Sequence, residues 1–290
     1  MSEKMAPVQV VAKLNRYFSV MQKVIYAQGG NVDKFSGDSI MAFWGVPLPG
    51  PHDDSDAVLT AIRMHEQLWP FNMQLHTEGQ QPIHMGIGLN SGEFVAGNIG
   101  SEDKIEFTVI GDTVNLAARA ESLAGSYQVF VSEATWLPIQ HMVCAVRLPP
   151  LEVKGKSQPI IFYSIYAVQD RFQGGYALAL PCRILDAAGT VIGPGILTGS
   201  PEASPGQRFL FSTPRSLMPG DSLTLQLALR EYHEPLRLTT TVDTCAPAEH
   251  DGSATYTQAV LTTTGGEAAS AFLTPGSCLS ARAAWRPKRG

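Results

Sequence analysis

Behind Pro7, apolar residues recur at Val10, Val11, Leu14, Phe18, Met21, Val24 and Ile25 and stop at Gly29-Gly30, which predicts one amphipathic helix. Asn31 to Phe35, a tight Ser36-Gly37-Asp38 corner and the apolar run Ser39 to Trp44 then read as a β-hairpin. A second helix is marked by Ala57, Val58, Ala61, Ile62, His65 and Leu68, with Asp53 or Asp54 near its start, where acidic side chains favour the helix dipole. Ile83 to Asn90 and Glu93 to Ile99 read as a second hairpin around Ser91-Gly92. Glu106 to Ile110 reads as a strand, and Thr113 to Leu123 as a helix with Asp112 as its N-cap. From there to Val168 short strands alternate with one short helix. This order predicts an α+β layer, helices packed on a mostly antiparallel sheet.

The pattern changes at QDRFQGGYA, which reads as a linker. Beyond it helical periodicity disappears. Runs rich in Thr, Leu and Val (Ala179 to Leu185, Arg208 to Ser212, Leu223 to Leu229, Leu236 to Val242, Thr255 to Thr263 and Ala268 to Leu273) alternate with Gly/Pro/Asp turns, the mark of a small β-barrel or sandwich. A chain of 290 residues can close two apolar cores, so two domains are expected, 1–168 and 177–290.

Composition narrows the function classes. Residues 1 to 170 hold 11 Lys+Arg against 17 Asp+Glu, a net of -6, and residues 171 to 290 hold 10 against 9, a net of +1. Neither half carries the basic excess that phosphate-backbone binding demands, so no nucleic-acid partner is expected. No run approaches the roughly 18 apolar residues of a membrane span, and the polar start MSEKMAP lacks a signal region, so the expected location is cytoplasmic. Cys144, Cys182, Cys245 and Cys278 lie 38, 63 and 33 residues apart, a spacing of neither zinc ligands nor a disulfide framework; free, mostly buried thiols are expected.

Three segments carry candidate chemistry: VDKFSGDSIMAFWG (32 to 45), HMGIGLNSGEFVAGNIGSEDKIEFTVIGDTVNLAARAESLA (84 to 124) and LEVKGKSQPIIFYSI (151 to 165). Together they resemble the class III nucleotidyl cyclases almost continuously from Met1 to about Tyr166. The resemblance implies a ferredoxin-like class III cyclase fold and the conversion of ATP to 3′,5′-cyclic AMP and pyrophosphate. Such a reaction needs metal ions near the attacking and leaving oxygens and charge spread over the phosphates. By resemblance Asp38, on a hairpin tip, is one of two metal-binding aspartates for Mg²⁺ or Mn²⁺. Lys34 and Thr108 match the residues that read the purine. An ammonium donating to adenine N1 and a hydroxyl accepting from the exocyclic amine favour adenine over guanine. Asn115 and Arg119, four apart on one helix face, match the residues that position the ribose and stabilise charge on the α-phosphate. Lys154 matches the lysine that grips the terminal phosphates, with Lys156 as an alternative.

The resemblance further implies a homodimer with two composite sites, each metal half on one protomer and each base-reading half on the other. The family's other metal aspartate, in a Phe-x-Asp-Ile strand, finds no counterpart here: Glu3 is terminal, and Asp33 is expected to point away from Asp38's neighbour across the turn. Little or no activity is therefore expected of this polypeptide alone. A non-catalytic nucleotide-binding or dimerisation module and a guanylyl cyclase are the alternatives. The second domain loosely resembles PilZ-type barrels, yet lacks the Arg-x-x-x-Arg and Asp/Asn-x-Ser-x-x-Gly signatures that bind cyclic di-GMP, so a structural or protein-contact role is expected.

Overall fold

The computed structural model describes residues 6–152, 158–200, 208–227, 236–250, 254–265 and 278–280. Pro7–Ala27 forms helix α1, opened by Pro7 in its first turn and by the Ala6 amide donating to Gln9 Oε1, and ended by Gly29 at φ 75°. Its buried face repeats every four residues through Lys13, Tyr17, Met21 and Ile25. The hairpin follows as β1 (Asn31–Ser36) and β2 (Ser39–Phe43), closed by the two-residue loop Gly37-Asp38 with Gly37 at φ 60°.

Helix α2 (Asp53–Thr77) starts on Asp53, Asp54 and Asp56 and continues through Pro70. It is buried on most sides because two clusters claim it. Met64, Leu68, Phe71 and Leu75 pack with α1, while Val58, Leu59, Ile62 and Trp69 pack with sheet residues such as Val129, Ile165 and Ala177. Next come β3 (Ile87–Leu89), β4 (Val95–Ser101), β5 (Lys104–Ile110), α3 (Asp112–Leu123), β6 (Val129–Ser132), α4 (Glu133–Ile139), β7 (Val143–Arg147) and β8 (Phe162–Gln169).

The expected hairpin around Ser91-Gly92 does not form. β3 instead runs parallel to β6, with Ile87 opposite Val129, and β4 forms its hairpin with β5. Packing explains the choice: an added Cβ on Gly88 would lie 2.0 Å from the Glu121 amide nitrogen, so α3 sits directly on β3 and holds it in the main sheet. The N-cap of α3 is also Gly111 rather than Asp112, which lies inside the first turn where its charge still favours the dipole.

The remaining strands are β9 (Tyr176–Leu185), β10 (Val191–Ser200), β11 (Arg208–Thr213), β12 (Ser222–Leu227), β13 (Leu236–His250), β14 (Ala254–Gly265) and β15 (Cys278–Ser280). β9 pairs β10, and the circuit continues through β11, β14, β13 and β12 back to β9, a closed six-stranded barrel. The run Ala268 to Leu273 lies outside the described residues. β8 pairs β7 along one edge and, along the other, first β6 and then β9. β9 thus belongs to sheet and barrel at once, and one apolar cluster joins Phe130, Phe162 and Tyr166 to Leu178, Phe211 and Leu261.

The stretch expected as a linker is a tight turn pinned to α2. Arg171 donates to both Asp56 carboxylate oxygens, at 2.7 and 2.5 Å, and Asp170 accepts from Arg63 and from the amides of Phe172 and Gln173. Cys144 and Cys182 are buried and Cys245 half-buried, all three outside any disulfide. Among the described residues no helix is long and apolar enough to cross a membrane.

Candidate active site

A cleft of about 1000 Å³ opens between the β1–β2 hairpin, α1, the start of α2, β3 and α3. Among the described residues β2 is paired only with β1, and β3 only with β6, so both present an unpaired edge towards it. Lys34, Asp38 and Thr108, from β1, the hairpin tip and β5, all line this one cleft. The two-residue loop explains Asp38: with Ser36 opposite Ser39, the carboxylate stands at the apex of the hairpin.

β1 carries an irregularity at Asp33, since Val32 faces Ala42 and Lys34 faces Met41 with Asp33 left between them. Such a bulge re-aims side chains. Asp33 turns towards Lys34 and Thr108: its Oδ2 accepts from Thr108 Oγ1 at 2.9 Å and lies 3.4 Å from Lys34 Nζ. Its side chain is 0% exposed, and Oδ1 has no hydrogen-bond partner.

Asn115 is exposed and Arg119 half-buried on α3, while Val114, Ala117, Ala118 and Glu121 of the same helix line the cleft. Neither Asn115 nor Arg119 lines it: at about 100° per residue Arg119 faces well away, and Asn115 stands at the margin of the lining face, beside Ser122. Lys154, and with it Lys156, lies outside the described residues.

Other groups at the cleft carried no candidate chemistry in the sequence. Burial, with Asp38 and Glu121 nearby, pushes the Tyr17 hydroxyl well above its usual value, and this hydroxyl donates to Met85 Sδ at 3.1 Å. Asp53 accepts from the Gly50 amide at 2.6 Å, and Asp54 from Ser91 Oγ at 2.5 Å. Asn90 donates to Thr113 O at 3.0 Å and accepts from Ser132 Oγ at 2.6 Å, tying the end of β3 to the starts of α3 and α4. Ser91-Gly92 reads as a turn in the sequence, with Asn90 ending the strand before it; the real work of Asn90 and Ser91 is this polar junction.

Asp38, Asp53, Asp54 and Glu121 are the carboxylates that line the cleft. Among the described residues no three metal-ligating side chains converge, so Mg²⁺ or Mn²⁺ would rest on Asp38 together with phosphate oxygens and water.

Solved structures share this fold. The guanylyl cyclase Cya2 matches with a TM-score of 0.57 and 35% identity, over 60% of this chain and 88% of its own. The adenylyl cyclase CyaB from P. aeruginosa matches with a TM-score of 0.56 and 30% identity, over 59% and 88%. Among curated relatives, the adenylate cyclase of Anabaena cylindrica is 35% identical over 182 residues, which is 58% of this chain and 34% of that protein. Adenylate cyclase 1 of Rhizobium meliloti (strain 1021) is 31% identical over 169 residues, 58% of this chain and 25% of that protein. The chain thus spans a quarter to a third of the length of these two relatives. The model of the adenylate and guanylate cyclase catalytic domain matches residues 1–166, more than half of the chain, and the chain belongs to that family.

Proposed function

We propose that this cyclase unit takes ATP and forms 3′,5′-cyclic AMP and pyrophosphate. The observation that carries the reading is the meeting of Lys34 and Thr108 on one wall of the cleft that also holds Asp38. An ammonium donor beside a hydroxyl acceptor fits the N1 and exocyclic amine of adenine. Guanine, with N1–H as donor and O6 as acceptor, offers the reverse pattern. A Mg²⁺ or Mn²⁺ ion on Asp38 would neutralise phosphate charge when bound. Lys154 is proposed to grip the terminal phosphates.

Asn115 and Arg119 are proposed to act on the nucleotide held by a second copy of the chain. Their placement off the cleft lining supports this, as do exposed apolar side chains on the β4–β5 hairpin, where Ile105 and Phe107 on one face and Val95 and Ile110 on the other are each more than half exposed. Residues 177–290 are proposed to be an accessory β unit that contacts protein. The absence, among the described residues, of three converging metal-ligating side chains favours a second reading, a nucleotide-binding dimerisation module that regulates a partner.

Displacement of a fluorescent nucleotide from residues 1–290 by ATP and by GTP tests the adenine reading without relying on turnover. ATP is expected to compete about tenfold better, the effect of one well-placed hydrogen bond. Parity, or a preference for GTP, would sink it. Mixing Asp38→Ala with Arg119→Ala protomers tests the shared site: where each variant alone is inactive, the mixture is expected to regain cyclic AMP formation if the wild type shows any.

A further inference from the structure

We propose that Asp33 is a positioning residue that sets the base preference of the cleft by fixing the Thr108 hydroxyl as an acceptor and steadying the Lys34 ammonium. The inference rests on the adenine reading above. It starts from a property of hydroxyls: Thr108 Oγ1 can offer a nucleobase either its hydrogen or a lone pair, and the two choices select opposite partners. Adenine presents an amine at position 6, guanine a carbonyl. A threonine whose rotor is free discriminates poorly between them.

Here the rotor is not free. Thr108 Oγ1 gives its hydrogen to Asp33 Oδ2 at 2.9 Å, and an ionised carboxylate can only accept. What Thr108 then presents to the cleft it lines is a lone pair. The same Oδ2 lies 3.4 Å from Lys34 Nζ, which holds the ammonium near Thr108. Asp33 itself does not line the cleft, so it works through these two neighbours. Its burial with Oδ1 unpartnered is a cost that an ordinary strand position would shed by any apolar substitution. The irregular register of β1 at Asp33 accompanies this placement beside Lys34.

The test uses residues 1–290 as wild type, Asp33→Ala, Asp33→Asn and Thr108→Val. Binding constants are measured for ATP, GTP and purine riboside triphosphate, which lacks any group at position 6, together with thermal midpoints. Asp33→Ala is expected to lower the ATP-over-GTP ratio and the ATP-over-purine-riboside ratio about fivefold, close to the effect of Thr108→Val. Asp33→Asn, which keeps an acceptor oxygen, is expected to lose only about twofold. A merely structural Asp33 would weaken all three nucleotides alike and leave the ratios in place, which overturns the proposal.

If Asp33→Ala does not fold, Asp33→Asn in the wild-type and Thr108→Val backgrounds decides. A loss of ratio present in the first and absent in the second supports the proposal, and equal effects, or none, in both overturn it. Failure of the underlying adenine reading is distinct, because Thr108→Val itself would then leave both ratios unchanged.

Discussion

Replacing Glu66 by glutamine should make the protein more stable at pH 8 than at pH 5 relative to wild type. Glu66 is buried on α2, where Oε2 accepts from Arg63 at 2.6 Å and Oε1 has no partner. Arg63 also serves Asp170, so one guanidinium faces two carboxylates. Burial pushes the Glu66 carboxyl up from 4.5 to about 7; Arg63 pulls it down without winning, and Asp170 adds to the rise. A group whose folded-state pKa is raised stabilises the fold below its unfolded value, and that contribution is lost as pH climbs through the folded value. The window is therefore about pH 4.5 to 7, and at 1.36 kcal/mol per unit the loss is about 3 kcal/mol.

The glutamine amide does not titrate, so Glu66→Gln should escape that loss. The neighbouring His65 runs the other way: burial lowers it to about 4, so its neutral form destabilises the fold progressively as pH falls from 6.5 to 4. In the wild type the two slopes oppose each other, and the variant-minus-wild-type difference cancels the histidine. Thermal melts of both proteins from pH 5 to pH 8 should show a difference growing by on the order of 5 °C. A flat difference, or a variant that loses ground at pH 8, would mean that the Arg63 ion pair outweighs burial and that the reasoning is wrong.

Gly88→Ala should lift α3 from β3, because the new methyl would meet the Glu121 amide at 2.0 Å and Ala117 O at 2.5 Å, backbone atoms that cannot swing aside. A cost of at least about 1–3 kcal/mol is expected, seen as a lower melting temperature, and an unchanged melt would refute the packing argument. Phe107→Arg, at a position 54% exposed on the β4–β5 hairpin, should leave the protomer's melt nearly unchanged yet abolish the proposed dimer in sedimentation equilibrium; a persistent dimer would place the interface elsewhere. Burial pushes the Cys182 thiol well up, so in native protein at pH 8 it should resist a thiol reagent that modifies it readily in urea. Equal rates in the two conditions would show that the barrel core opens freely.

What the sequence discloses is local. Pro7, the four-residue apolar spacing and Gly29 mark α1 without any knowledge of its neighbours, and Ser36-Gly37-Asp38 marks a hairpin by its own turn chemistry. The readings that fail depend on distant residues. β10 runs through Gly193-Pro194-Gly195, which resembles a turn, but an added Cβ on Gly195 would meet the Phe211 ring at 2.4 Å, so the missing side chain makes room for an aromatic across the sheet. Local pattern gives β3 the wrong partner because its true one, β6, follows 40 residues later and pairs in parallel. The contact of Asp33 with Thr108 escapes the sequence for a similar reason. Strict alternation sends neighbours to opposite faces, and the irregular register that breaks the rule is set by pairing with β2.

The double membership of β9 has a practical consequence for anyone who trims this protein. Severing the chain after Gln169 leaves Ala167, Val168 and Gln169 without Leu178, Ala177 and Tyr176 across from them. It also uncovers Phe162 and Tyr166, and removes the Asp170 and Arg171 side chains that fasten the turn to α2. A shortened cyclase unit should therefore aggregate through a sticky strand margin unless that margin is recharged, whereas stopping after Leu185 keeps the margin covered while leaving an open barrel stave.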